Sequence, residues 1–315
     1  MTPSQTFRYC RCALGASKGL KVRFWGVRGS VPCPGPSTSK YGGNTSCIQL
    51  IGGDDVIVLD AGTGIRELGH ELLKQKKPLR IHLLLTHTHW DHIQGFPFFS
   101  PIYFPGNEIF VYGPRALEKS LEDALMVQMQ YAYFPVRGVE LAAKVRFTEL
   151  DEETFKIGDL EFTTKSMNHP IRVLAFKFSD GKKSGIYTGD NEPYYDVLEN
   201  KTGRPDTSSH RRREFIKECN DRVGDYVRGV DMLIADSQYT DEEYESKRGW
   251  GHSSIGYVLQ LAASSDVKKV MLFHHEPTHP DRQMDAIEKQ AIAHGRRLSR
   301  RLKVMVAREG KTYDV

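Results

Sequence analysis

The segment that decides the predicted fold is Leu85-Thr86-His87-Thr88-His89-Trp90-Asp91-His92. It ends an apolar, β-compatible run, residues 80–85, which predicts a buried strand that opens into a loop at its carboxyl end. The imidazoles of His87 and His89 can bind one divalent ion from such a turn, and Asp91 and His92 can hold a second ion beside it. The segment therefore predicts a metal site at the end of a strand.

The composition is that of an ordinary globular chain of 315 residues, with 39% hydrophobic and 27% charged residues. The net charge of +4 suits an anionic substrate and does not indicate a dedicated nucleic-acid-binding protein. No segment approaches the roughly 20 consecutive apolar residues of a membrane span, and the first residues lack an apolar signal segment. The five cysteines, an odd number, argue against a disulfide framework. We therefore expect a cytoplasmic protein with no membrane partner.

The spacing H-x-H-x-D-H in residues 87–92 resembles the signature of the metallo-β-lactamase superfamily of metal-dependent hydrolases. This resemblance requires three further ligands at strand ends: a histidine, a bridging aspartate and a final histidine. His169, Asp190 and His274 stand at the ends of predicted strands in that order, and His275 is the less favoured alternative to His274. Because a carboxylate has two oxygens, it can hold two cations, which suits Asp190 to the bridging position.

The resemblance implies two divalent ions, zinc or manganese, with iron left open. The first ion is expected on His87, His89 and His169, the second on Asp91, His92 and His274, and Asp190 is expected to bridge them. The implied fold is α/β, a four-layer αββα sandwich in which two mixed sheets face each other between outer helices. The succession of strands and ligand-bearing loops along the chain agrees with this fold. Residues 21–315 are predicted to form this single hydrolase domain, after a flexible leader (residues 1–20) and with a charged insertion (residues 192–228).

Further features resemble the phosphodiesterase branch of the superfamily. His252 is followed by serine, as a catalytic histidine of that branch is followed by Ser or Thr, and a protonated imidazole there can stabilise or protonate a departing alkoxide. Asp91 is expected to steer the proton of the attacking water, and Asp60 to orient the metal ligands. The loop Asn44-Thr45-Ser46 resembles a loop near the active site, and a turn with satisfied side chains is its alternative interpretation. The cluster Arg211-Arg212-Arg213 is either a solvated helix face or a phosphate contact.

Together these features predict a dinuclear phosphodiesterase that acts on a small, anionic, nucleotide-type phosphodiester, with a cyclic nucleotide favoured. The alternative is a nuclease that processes the ends of RNA, in particular transfer RNA. Those enzymes carry a long Gly/Pro-rich arm between the third-motif histidine and the bridging aspartate, whereas only residues 170–189 lie between His169 and Asp190. A thioester or lactone hydrolase would not need His252, and a non-enzymatic metal-binding sensor is the remaining alternative. An RNA partner and a homodimer stay open.

Overall fold

The computed structural model describes residues 19–115, 119–196 and 209–315. These residues form the strands β1 (Lys21–Gly26), β2 (Cys47–Ile51), β3 (Val56–Leu59), β4 (Arg80–Leu84), β5 (Glu108–Pro114), β6 (Lys144–Leu150), β7 (Thr154–Ile157), β8 (Leu160–Met167), β9 (Val173–Ser179), β10 (Ser184–Tyr187), β11 (Met232–Asp236), β12 (Lys269–Phe273), β13 (Lys303–Val306) and β14 (Thr312–Asp314). They also form the helices α1 (Ile65–Leu73), α2 (Trp90–Ile93), α3 (Leu121–Met126), α4 (Ser209–Val227), α5 (Asp241–Lys247), α6 (Ile255–Ser264) and α7 (Asp281–Leu298). Residues 1–18, most of the predicted leader, lie outside the described residues.

The strands build two mixed sheets of seven strands each. The first sheet has the order β14-β1-β2-β3-β4-β5-β6, and its strands from β3 to β6 are parallel. The second has the order β13-β12-β11-β10-β9-β8-β7, and its strands from β10 to β13 are parallel. The central strand β11 is buried throughout and apolar up to its last residue, Asp236, as expected for a parallel strand that is covered on both faces.

Three clusters of buried side chains separate the layers of the molecule. Between the sheets, Phe24 and Ile48 of the first sheet pack with Phe176 and Phe273 of the second. A second cluster joins the first sheet to α1 and α3 on its outer face. A third joins the second sheet to α4, α6 and α7 on the opposite side of the molecule. The predicted four-layer αββα sandwich is therefore confirmed.

The outer helices are amphipathic, which explains how they cover the sheets. In α1, Ile65, Leu68 and Leu72 are buried, and this i, i+3, i+7 spacing places them on one face. In α7, Met284 and Ile287 follow the same rule. None of the helices formed by the described residues has the length and apolar character needed to cross a membrane.

The predicted charged insertion contains a helix that packs on the second sheet. Val223 and Val227 of α4 are buried in the third cluster. Arg212, in the middle of the arginine cluster, pairs through Nε with Asp196 at 3.1 Å. Residues 197–208 of the segment lie outside the described residues. The domain limits stay a prediction.

One predicted helix is shorter than expected. The sequence predicts a helix over residues 116–126, but α3 begins at Leu121. Its start is fixed by Ser120, whose side chain accepts the N–H of Asp123 and so caps the helix. Residues 116–118 lie outside the described residues.

Candidate metal centre

The predicted ligands meet at one edge of the sandwich because each follows the carboxyl end of a strand. In the second sheet, β8, β10 and β12 run in the same direction and deliver His169, Asp190 and His274. In the first sheet, β4 ends at Leu84, and the loop and helix that follow carry the ligands of the H-x-H-x-D-H segment. Both sheets thus contribute to one cluster.

The first donor set consists of His87, His89, His169 and Asp190, whose ligand atoms all lie within 4.8 Å of one another. His89 Nδ1 is 3.1 Å from His169 Nε2, and His87 Nε2 is 3.4 Å from Asp190 Oδ2. A tetrahedral zinc ion with bonds of about 2.1 Å separates its ligand atoms by roughly 3.4 Å. The observed spacing therefore suits one such ion.

The second donor set consists of Asp91, His92, His274 and again Asp190. His274 Nε2 lies 3.1 Å from Asp91 Oδ2 and 3.2 Å from Asp190 Oδ1. His92 Nε2 lies 3.2 Å from the same Asp190 oxygen. Asp190 thus presents one oxygen to each donor set, which is the arrangement predicted for a bridging carboxylate.

The hydrogen bonds around the histidines support metal binding. The Nδ1–H groups of His92, His169 and His274 donate to Asp60, to the Gly251 carbonyl and to the Gln238 side chain, respectively. Each bond leaves the Nε2 lone pair facing the cluster, as metal-binding histidines require. In addition, His87 Nε2 and Asp190 Oδ1 are buried without a hydrogen-bond partner. Two buried, unpaired acceptors in one cluster are costly unless a cation binds them.

The protonation states of the first donor set also fit a divalent ion. Burial lowers the pKa of His87, that of His89 to about 4 and that of His169 to about 3. These rings are therefore neutral near pH 7 and can donate a lone pair. Burial opposes ionisation of Asp190, but the imidazoles of His274, His92 and His87 hold the pKa of its carboxyl well below the usual range. Neutral imidazoles and an ionised carboxylate are the forms that metal binding needs.

His274, rather than His275, belongs to the cluster. The side chain of His275 points away from the donor sets, and its Nε2–H donates to the Ala307 carbonyl at 2.9 Å. Close packing fixes the ring of His274 on its other side, since a Cβ atom at Gly29 would lie 2.4 Å from His274 Nδ1. The loop after β1 therefore needs a glycine where it passes the ring of His274.

Asp60 connects the donor sets to the sandwich. It is fully buried and has a positive φ of 60°. Its carboxylate accepts hydrogen bonds from Thr86 N (2.7 Å), the Thr86 hydroxyl (2.9 Å), the Tyr187 hydroxyl (2.7 Å) and His92 Nδ1 (2.7 Å). This network holds the His92 ring with Nε2 toward the second donor set, in line with the expectation that Asp60 orients ligands.

We expect Asp60→Asn to weaken metal binding roughly 10- to 100-fold, because an amide nitrogen would face one of the four hydrogen-bond donors. The free energy of unfolding should fall by about 1–3 kcal/mol for the same reason. Asparagine tolerates positive φ, so the backbone can stay in place. Competition with a chromophoric chelator measures the metal affinity. Asp266→Asn is the matched control, since Asp266 also has positive φ (52°) but is exposed and away from the cluster. Equal metal affinity in the two variants would exclude the role of Asp60 in positioning the ligands.

The predicted substrate loop Asn44-Thr45-Ser46 is packed into the protein. Asn44 Nδ2 donates to Glu309, and Thr45 and Thr63 exchange hydrogen bonds between their backbones and hydroxyls. Thr45 and Ser46 are fully buried. The part of this loop that reaches the cluster lies earlier, where the N–H of Ser30 donates to Asp91 Oδ2 at 2.7 Å. A substrate contact by residues 44–46 stays a prediction.

His252 lies beside both donor sets without belonging to the predicted ligands. Its ring stacks on His274 at 5.0 Å between centroids, and its Nδ1 lies 2.9 Å from Asp236 Oδ2. Burial lowers the pKa of His252, but the carboxylates of Asp236, Asp190 and Asp91 outweigh this and raise it to about 9. The ring is therefore protonated near pH 7, and Nδ1 is engaged, which leaves Nε2–H available to a substrate.

Sequence reasoning missed two residues around His252. Asp236 is the last residue of β11, which lies between the strands that deliver Asp190 and His274. Because neighbouring parallel strands end at the same edge, this position could have identified Asp236 as a site residue. Glu192 is buried, and its carboxylate accepts the N–H groups of Gly249 (2.7 Å) and Gly251 (2.9 Å). It thereby fixes the loop that leads to His252. Nothing in its local sequence marks Glu192.

Comparison with known proteins agrees with this fold. Residues 56–210 match the model of the Beta-lactamase superfamily domain. Ribonuclease Z from Methanocaldococcus jannaschii is 23% identical, over 94% of this chain and 97% of the relative. The metallo-beta-lactamase fold protein YhfI from Bacillus subtilis superposes with a TM-score of 0.64 at 15% identity, over 93% of this chain and 98% of that chain. The short form of human tRNase Z gives a TM-score of 0.57 at 17% identity, with the same coverage of 93% and 98%.

The fold and the site define a metal-dependent hydrolase, and divalent metal ions are the cofactors that such a fold implies. Residues 56–210 match the Beta-lactamase superfamily domain, and the chain has the metallo-β-lactamase fold. The predicted family and enzyme class are thereby confirmed.

Proposed function

We propose that this protein is a dinuclear, metal-dependent phosphodiesterase and that RNA is its substrate class. The observation that carries the proposal is the pair of donor sets that share Asp190, with a protonated histidine, His252, beside them. Two metal sites a few ångströms apart suit an in-line displacement at phosphorus, in which the attacking and the departing oxygens both need positive charge nearby. A thioester or lactone hydrolase would have no use for His252.

The residues of this chain divide the proposed reaction between them. When bound, the two divalent ions, zinc or manganese, supply Lewis acidity at the phosphoryl group and make water a better nucleophile. Asp91, held by the Ser30 N–H, is placed to accept the proton of the attacking water. His252 donates from Nε2 to the departing alkoxide, and Asp236 keeps the ring oriented and protonated.

RNA is proposed as substrate because a relative that spans nearly the whole chain, from Methanocaldococcus jannaschii, is a ribonuclease. The relatives therefore support RNA processing, the alternative in the sequence analysis, more strongly than the cyclic nucleotide that the sequence favours. One observation keeps small nucleotides as a second candidate: β9 and β10 form a tight antiparallel pair between His169 and Asp190, so no arm extends there. Without an arm at this position, we expect contacts with RNA to be confined to the region around the cleft.

The proposal is tested by substrate competition on the purified protein loaded with zinc or manganese. We expect hydrolysis of bis(p-nitrophenyl) phosphate and of single-stranded RNA, and loss of both activities after a chelator removes the metals. A thioester, a lactone and a cyclic nucleotide are measured in parallel. Turnover of only the acyl substrates would overturn the phosphodiesterase proposal, and turnover of only the cyclic nucleotide would replace RNA by the second candidate.

A further inference from the structure

Four exposed apolar side chains stand close to the metal centre, on four different segments of the chain. Trp90 (78% exposed) lies between His89 and Asp91, and Trp250 (58% exposed) lies two positions before His252. The other two are Val31 (52%), next to the Ser30 that binds Asp91, and Ile171 (37%), two positions after His169. Apolar side chains scattered singly over a surface need no explanation, but a group attached to one site does.

The backbones that carry the two tryptophans are fixed. Trp250 lies between Gly249 and Gly251, whose N–H groups are both held by Glu192. A Cβ atom at Gly251 would lie 2.3 Å from His169 Nδ1, so this loop packs directly on a candidate ligand. Trp90 opens α2, next to the buried Asp91. Both indole rings are thus exposed on rigid supports, which lowers the entropy cost of binding a flat group.

Two cationic residues, Lys247 and Arg248, lie just before Trp250 in the chain and against aromatic rings. The ammonium group of Lys247 lies 4.1 Å from the centroid of the Trp250 ring. The guanidinium group of Arg248 lies 5.6 Å from the Tyr195 ring and 5.9 Å from the Tyr244 ring. Aromatic rings beside cations suit a ligand that has both anionic and flat groups, which is the chemistry of single-stranded nucleic acid.

We propose that Trp90 and Trp250 bind unpaired nucleobases that flank the scissile phosphodiester. The inference rests on the proposed function, and it specifies the substrate as a single strand with a base on each side of the cleaved bond. Since His252 serves the leaving group, Trp250 is assigned to the nucleoside on that side and Trp90 to the other nucleoside. Stacking on exposed indoles tolerates every base, so little sequence preference is expected.

The test compares Trp90→Ala and Trp250→Ala with Phe215→Ala, an exposed aromatic residue (61%) on the outer helix α4. Binding of a fluorescein-labelled, phosphorothioate-linked oligouridylate to the metal-loaded proteins is followed by anisotropy, so that the readout does not depend on turnover. Each tryptophan variant should bind about tenfold more weakly than wild type, and Phe215→Ala should bind normally. An oligomer without bases should bind all four proteins equally. Circular dichroism and metal content verify folding.

Cleavage of RNA by the same variants separates this inference from the proposed function. A substrate that lacks the base on the leaving-group side should abolish the difference between Trp250→Ala and wild type. Normal cleavage together with unchanged oligomer binding in both tryptophan variants would overturn the inference and leave the phosphodiesterase proposal standing. Absence of cleavage, with binding still dependent on the tryptophans, would support the inference and overturn the proposed function. If the variants changed the protein from dimer to monomer but bound the oligouridylate as wild type does, the tryptophans would form a subunit contact. That result would overturn the inference.

Discussion

The Asp190→Asn variant is expected to hold fewer than two ions per chain. It should also hydrolyse phosphodiesters at least roughly 1,000-fold more slowly than wild type, because a pair of bridged ions stabilises the transition state by several kcal/mol. Asp190 offers one oxygen to each donor set, at 3.4 Å from His87 Nε2 and 3.2 Å from His274 Nε2. Asparagine keeps the size of the side chain, but its amide nitrogen carries no lone pair for a metal ion and no negative charge.

Two measurements test this prediction: the metal content per chain by atomic emission, and kcat/KM for bis(p-nitrophenyl) phosphate. Asp231→Asn is the matched control, since Asp231 lies in the loop before β11 and pairs with Lys183 and Lys268 rather than with the cluster. The control should keep two ions and nearly full activity. Two ions in Asp190→Asn with activity within tenfold of wild type would exclude the bridging role.

His252→Ala should keep both ions and lose activity in a way that depends on the leaving group. For RNA, whose departing alkoxide needs a proton, kcat should fall about 100- to 10,000-fold. For a p-nitrophenyl ester the loss should be much smaller, because nitrophenolate is a weak base and departs without a proton. Asp236 remains hydrogen-bonded in the variant through the N–H groups of Asn191 and Gln238, so the site should stay folded.

The comparison of the two substrates distinguishes proton transfer from a structural role. If His252 had only a structural role, its replacement would reduce both activities by the same factor. His279→Ala is the control for the loss of a buried histidine, since His279 Nε2 pairs with Glu243 at 2.7 Å outside the donor sets. Equal losses on RNA and on the p-nitrophenyl ester would remove the general-acid assignment.

The residues that sequence reasoning identified share a local signal. His87, His89, Asp91 and His92 lie within one turn after an apolar strand, so their proximity follows from the sequence itself. His169, Asp190 and His274 each follow a predicted strand, and parallel strands end at the same edge of a sheet. The strands and the amphipathic helices α1 and α7 were predictable for the same reason, since alternation and 3.6-residue periodicity are local properties.

The residues that it missed act through contacts between distant segments. Glu192 binds backbone N–H groups at Gly249 and Gly251, and no pattern near either segment indicates this pairing. Ser30 reaches Asp91 from the loop after β1, and no pattern near Ser30 indicates this contact. The strands β7, β13 and β14, of four, four and three residues, were missed as well.

Each donor set draws on both sheets, so an ion bound there would link the two sheets. The first combines His87 and His89 of one sheet with His169 and Asp190 of the other, and the second is divided in the same manner. An ion that binds only the assembled sandwich stabilises it by mass action, by about 2.7 kcal/mol when its free concentration is 100 times its dissociation constant. The stability of the folded chain would therefore depend on the supply of metal in its surroundings, and loss of the ion would lower stability and activity together.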